Sequence, residues 1–167
     1  RPSPPGWRLL RARPVQRLFG GGNGQNIKPQ RLEVVARQGF DVGDRGQHGA
    51  RALLHGLRFG ARGLPLMGSG DWNDGMNLVG IHGKGESVWL GFFLYEVLNG
   101  YIALAELMND VELAARCRLE AQTLRENLAR HGWDGAWYRR AYFDDGTPLG
   151  SAHNSECSID SISQSWS

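Results

Sequence analysis

Two adjacent stretches, 86–108 and 111–130, restrict the possible folds of this chain more than anything else in it. Between Glu86 and Met108 the apolar residues Val88, Trp89, Phe92, Phe93, Val97, Leu104, Leu107 and Met108 fall nearly all round a helical repeat. A helix apolar on every side belongs inside a fold rather than on its surface. Asn109-Asp110 closes it, and Asp110 offers a side chain to cap a second helix. From Val111 to Arg130 the pattern becomes one-sided. Leu113, Cys117, Leu124 and Leu128 share a face with Ala114 and Ala121 beside them, while Glu112, Arg116, Glu120 and Glu126 lie elsewhere. Two such helices joined by a tight turn predict an αα-hairpin, with an inner and an outer helix of a layered helical array. The expected class is mainly α.

The flanking segments are weaker. Ala50, Leu53, Leu54 and Leu57 recur at helical spacing, with Gly60 and Gly63 as stop signals. Residues 63–85 are glycine-rich and irregular. Trp137–Phe143 alternates and is aromatic, which predicts a short strand ending at the Asp144-Asp145-Gly146 turn. Ile159 and Ile162 begin a further helix at 158–167 that has less than two turns before Ser167. A helix so short is marginal by itself, so the chain reads as a fragment.

Composition narrows the function classes. With 41% hydrophobic and 22% charged residues, the chain is not disordered throughout. Cys117 and Cys157, with no CxxC, make neither a disulfide scaffold nor a zinc site, and a reducing, cytoplasmic setting is expected. No uninterrupted apolar run approaches the roughly 20 residues of a membrane helix. Residues 1–45 carry nine Lys/Arg against three Asp/Glu, whereas residues 46–167 carry ten against fourteen. A basic arm on an acidic body suits nucleic acid, but these arginines stand singly among Pro and Gly, without a basic helix or interleaved aromatics. Nucleic-acid binding is therefore disfavoured. Segment 1–45 is expected to be disordered or foreign to the domain at 46–167, with only residues 31–37 able to form a short helix or strand.

The densest chemistry lies at Gly70-Asp71-Trp72-Asn73-Asp74-Gly75-Met76-Asn77. An indole stacks on the apolar face of a pyranose, and carboxylates and amides bond its hydroxyls. A carboxylic acid whose pKa is raised by burial protonates a departing glycosidic oxygen. The plainer reading is a turn, since Asn-Asp-Gly is a strong turn signal and Asp71 can cap one. An EF-hand fails because Met76 stands at its glycine position, and a Walker loop fails at Leu78 and Gly85. Lys84 and Glu86 lie where the loop enters the long helix. A helix N-terminus suits an anion such as phosphate, although Glu86 could simply complement the dipole. Arg139 and Arg140 are candidates for phosphate or substrate, or for solvated and stacked roles. His48, His55, His82, His131 and His153 lack metal-ligand spacing, and no metal or other cofactor is expected.

Four segments in order, GLPLMGSGDWNDGMN (63–77), GKGESVWLGFFL (83–94), WYRRAYFDDGTPLGSA (137–152) and CSIDSISQSW (157–166), resemble glycoside hydrolase family 94, the inverting glycoside phosphorylases. Within it they resemble the C-terminal phosphorylase-like domain of cyclic β-1,2-glucan synthases. The resemblance runs from about Gln47 to Ser167. It implies that 46–167 is an incomplete part of an (α/α)6 barrel. It implies an enzyme that cleaves β-glucans, β-1,2-linked ones first, with inorganic phosphate as co-substrate and release of glucose 1-phosphate. Asp74 takes the place of the general acid and Trp72 lies at the sugar site. Asp71 is expected to orient the loop or bind a sugar hydroxyl, with Asn73 as a further substrate contact. Gln164 and Trp166 match the family pattern near the active-site end of an inner helix, as sugar contacts or as core. Phosphate replaces the activated water of an inverting hydrolase, so no second catalytic carboxylate is required. The alternatives are an inverting hydrolase with Asp71 or Glu86 as base, and a non-catalytic carbohydrate-binding fragment. The implied partners are the glucan, phosphate and the remainder of a parent chain, for which a tether to the inner membrane is one option. The family's upstream sugar-binding and downstream phosphate-binding segments are expected outside this sequence, so the fragment alone should be inactive.

Overall fold

The computed structural model describes residues 42–167. The basic segment up to residue 41, including the candidate element at 31–37, lies outside the described residues. Helix α1 spans Val42–Gly56, α2 Val88–Leu107, α3 Val111–Asn127 and α4 Ser161–Trp166. Three two-residue strands, β1 Glu86–Ser87, β2 Ala141–Tyr142 and β3 Pro148–Leu149, form an antiparallel sheet in that order. Glu86 faces Tyr142 and Ser87 faces Ala141; Ala141 in turn faces Leu149. α1 crosses the compositional boundary at residues 45 and 46.

The predicted hairpin forms from α2 and α3. Ser87 caps α2, its Oγ accepting from the Leu90 amide at 3.0 Å. The helix therefore starts at Val88 rather than Glu86, because residues 86 and 87 are held by strand pairing. At the other end Asn109 turns left-handed (φ 56°). The Asp110 amide reaches Ala105 O at 2.9 Å and the Asn109 amide reaches Glu106 O at 3.1 Å, which completes a Schellman ending. Asp110 Oδ1 then accepts from Leu113 N at 2.9 Å and starts α3. α3 is shorter than predicted, since residues 128–132 form a π-turn that redirects the chain towards Trp133.

All the residues assigned to the apolar face of α3, Leu113, Ala114, Cys117, Ala121, Leu124 and Leu128, are buried. They pack on Val88, Phe92, Leu98 and Ala105 of α2. Gly91 permits the close approach, for a Cβ there would stand 2.9 Å from Leu128 Cδ2. α2 is not enclosed all round, however. Phe93 is 41% exposed and Leu107 59% exposed, because among the described residues only α3 covers the helix along its length. The 20 residues of α2 also match a membrane span by length and composition, a match hidden from an unbroken-run criterion because Glu96, Asn99 and Glu106 interrupt the run. The span is 33% buried, chiefly where it packs against α3.

The expected strand at 137–143 shrinks to Ala141–Tyr142. Arg140 still bonds to the sheet, whereas Tyr138 and Arg139 pair elsewhere. The Arg139 amide donates to Gly132 O at 2.8 Å and Arg140 N to Leu149 O at 2.8 Å. Both backbone groups of Tyr138 are paired by the Gln164 side chain instead of a strand. The 144–146 turn forms where predicted, with Gly146 N on Phe143 O at 2.9 Å.

Candidate active site

The irregular segment between α1 and β1 is shaped by close backbone crossings. Met67 N donates to Gly85 O at 2.8 Å, and a Cβ on Gly85 would lie 2.4 Å from the Val79 carbonyl oxygen, so only glycine fits. The outgoing limb is tied to the β2–β3 turn by Asp144. Its carboxylate accepts from the amides of His82 at 2.9 Å, Lys84 at 2.7 Å and Gly85 at 2.9 Å. Those bonds, the His82 amide foremost, hold the Asp144 carboxyl below its ordinary range.

Asp71 anchors the Asp-Trp-Asn-Asp stretch. Arg140 grips it with two parallel bonds, Nη2 to Oδ1 at 2.6 Å and Nη1 to Oδ2 at 2.7 Å. Ser87 Oγ donates to Asp71 Oδ2 at 2.5 Å. Both charged side chains are withdrawn from water, Arg140 to 2% and Asp71 to 0% exposure. Burial pushes the Asp71 carboxyl up, but the hydrogen bonds and charge of Arg140, the Ser87 hydroxyl and the Asn73 amide outweigh it, and the net pKa is lowered. Arg140 Nε also stands 3.7 Å from Asp160, which caps α4 through the Ile162 amide at 2.8 Å. One guanidinium therefore joins the loop, the start of α2 and the start of α4.

From Asp71 the loop order passes along the backbone. Asp71 Oδ1 accepts from Asn73 N at 3.3 Å, and Asn73 Oδ1 accepts from Gly75 N at 3.0 Å. The side-chain oxygen of Asn73 thus caps the 3₁₀ turn Asp74–Met76, which Asp74 opens. Trp72 projects outward, 74% exposed. Its ring lies 6.2 Å from Trp89, which stacks on Phe93 at 5.8 Å and meets the edge of Trp166 at 5.8 Å. Trp89 is buried, and its indole Nε1 has no hydrogen-bond partner among the described residues.

The sequence candidates thus separate into groups. Trp72 and Trp166 come together over α2. Gln164 faces inward, its Oε1 accepting from Tyr138 N at 2.9 Å and its Nε2 donating to Tyr138 O at 2.7 Å, so the amide imitates a strand neighbour. Arg139 is committed to Asp134 and to the carbonyls of His131 at 3.0 Å and Trp133 at 2.8 Å. Glu86 is buried rather than placed on a helix dipole. Its Oε1 accepts from the amides of Arg62 at 2.9 Å and Leu64 at 3.2 Å, and its Oε2 from Arg62 Nη1 at 3.0 Å. Lys84 and Glu86 line a different cleft of about 500 Å³ with Arg62, Phe143 and Asp145, away from Trp72. Among the described residues no group of three or more His, Cys, Asp or Glu is placed to hold a metal. Burial pushes the Cys117 thiol up, as expected of a core cysteine.

Ser87 escapes the sequence reading, which places Trp89 only on the packed face, where it is buried. Ser87 carried a signal, a serine immediately before an apolar helical run. Trp89 carried no signal of its place beside Trp72, because an aromatic residue on an apolar helix reads as core.

A serine-capped apolar helix, an amphipathic partner and a tryptophan-bearing acidic loop beside them make up the candidate site. Residues 42–167 match the glycosyl hydrolase 94 superfamily catalytic domain, and the chain belongs to that family. It is 52% identical over 130 residues to the cyclic beta-(1,2)-glucan synthase NdvB of Rhizobium meliloti (strain 1021), a match covering 76% of this chain and 4% of the synthase. It is 44% identical over 108 residues to solabiose phosphorylase and 40% identical over 107 residues to 3-O-beta-D-glucopyranosyl-beta-D-glucuronide phosphorylase, both of Paenibacillus borealis. Each of these two matches covers 64% of this chain and 14% of the relative.

Proposed function

We propose that this chain supplies the acid-bearing part of a glycoside phosphorylase-type catalytic domain acting on β-glucans, β-1,2-linked ones first. In the reaction an oxygen of inorganic phosphate bonds to the anomeric carbon as the glycosidic C–O bond breaks. Asp74 gives its proton to the departing oxygen, and glucose 1-phosphate of inverted configuration leaves. The names of the two phosphorylase relatives and of the synthase support this reading. The observation that carries it is the engagement of the other carboxylates. Asp71 is filled by Arg140 and Ser87, and Glu86 by Arg62 and the Leu64 amide. An inverting hydrolase would have to take its water-activating carboxylate from elsewhere, since neither Asp71 nor Glu86 is free. Phosphate needs none. Trp72, exposed beside Trp89 and Trp166, would stack on the sugar ring.

The test uses the full-length protein that carries this sequence, with β-1,2-glucooligosaccharides as substrate. Glucose 1-phosphate should appear only when phosphate is present. Asp74→Asn should lower the rate by more than the roughly 10²–10⁴-fold typical of general acid catalysis, since the leaving alkoxide is poor. Undiminished turnover in that variant, or free glucose formed without phosphate, would overturn the proposal.

A further inference from the structure

We infer that Arg140 is a positioning residue for the acid-bearing loop, acting through Asp71. This rests on the assignment of Asp74 as the acid and deepens it. Asp71 precedes Asp74 by three residues, and Asp71 Oδ1 both receives Arg140 Nη2 at 2.6 Å and holds the Asn73 amide at 3.3 Å. Asn73 in turn fixes the Gly75 amide at 3.0 Å and opens the 3₁₀ turn at Asp74. The backbone of Asp74 is therefore referenced, through two short side chains, to a guanidinium that is itself held on several sides.

Three features hold Arg140 in place. Its backbone lies beside the sheet, with Arg140 N on Leu149 O at 2.8 Å and Val88 N on Arg140 O at 3.1 Å. Its Nη1 also reaches Ser87 Oγ at 3.2 Å, so the same hydroxyl that caps α2 is shared with the clamp. Its side chain is 2% exposed, so water is not at hand to replace its partners. A planar fork gripping both carboxylate oxygens fixes orientation as well as distance, which a lysine point charge does not. The second observation is the aromatic contact. Trp72 follows Asp71 directly, and its ring rests 6.2 Å from Trp89, two residues beyond Ser87. The clamp thus sets the stacking residue and the turn at Asp74 together against the first turn of α2.

The experiment compares Arg140→Lys and Asp71→Asn with Asp134→Asn in the full-length protein. Asp134 is the control, an arginine-paired carboxylate of 2% exposure whose partners, Arg139, Ser151 and the Ala152 amide, all lie outside the loop. Turnover is followed both as glucose 1-phosphate and as free sugar. Loss of phosphate dependence in the unaltered protein would then strike the reaction assignment alone. A displacement of about 1 Å can cost about 10²-fold in rate. Arg140→Lys and Asp71→Asn should lower kcat by about that factor, with KM for the glucan changed less than about 3-fold. Asp134→Asn should lose comparable thermal stability and keep kcat. Hydrogen exchange gives a readout that needs no activity: the amides of Asn73, Gly75 and Met76 should exchange faster in the first two variants and not in the control. Equal kcat in all three, or unaltered exchange at 73–76 in Arg140→Lys, would overturn the inference.

Discussion

Replacing Glu86 by glutamine tests whether that carboxylate pins the fold or does chemistry. Its Oε1 serves the Arg62 and Leu64 amides, and its Oε2 serves Arg62 Nη1 at 3.0 Å. An amide keeps only one acceptor oxygen. Whichever way it turns, an N–H meets an N–H, and at 1% exposure water does not relieve the clash. The least damaging orientation loses one charged hydrogen bond, about 1.5–3 kcal/mol. Arg62 is 27% exposed and keeps the Gly146 carbonyl at 3.1 Å and the Tyr142 ring at 3.9 Å. That holds the cost below the roughly 3–5 kcal/mol of a fully buried broken pair. We expect Glu86→Gln to destabilise by about 2–3 kcal/mol, lowering the urea midpoint by about 1–2 M at an ordinary denaturant slope. Equilibrium urea unfolding of the full chain, followed by tryptophan fluorescence, measures it. A midpoint within about 0.3 M of the unaltered chain would refute the reasoning, for it would mean that Glu86 holds nothing.

The packing and the charges set two further outcomes. The Asp71 carboxyl is held below its usual 3.8, so its stabilisation is full above the unfolded value and is lost as pH falls through the folded one. Below about pH 4 the urea midpoint of the unaltered chain should therefore drop more steeply than that of Asp71→Asn; parallel slopes would contradict the clamp. Leu128→Ala empties the space against Gly91 and should cost about 2–5 kcal/mol, while adding Gly91→Ala refills part of it. A double variant less stable than Leu128→Ala alone, in the same urea titration, would refute that packing.

The helical hairpin was legible because one period governs both its helices. Leu113, Cys117, Leu124 and Leu128 announce a buried face by spacing alone. Asp110 announces a cap, since the donors it satisfies lie within three residues. The turn at 144–146 was readable for the same reason, as its determinants are local. The resemblance to family 94 was likewise carried by contiguous segments and needed no folded contacts.

What the sequence alone determined, then, were features whose partners lie within a turn or two along the chain. Tertiary structure alone decided the rest. Arg140 and Asp71 stand 69 positions apart, and Glu86 and Arg62 stand 24 apart. No local pattern says which carboxylate an arginine will meet, or that Gln164 will pair with the backbone of Tyr138 across 26 positions. Glu86, Arg139 and Arg140 became members of internal ion pairs because burying a charge requires a partner. Only the fold, by bringing β1, β2 and the acidic loop to one place, decides which partner that is.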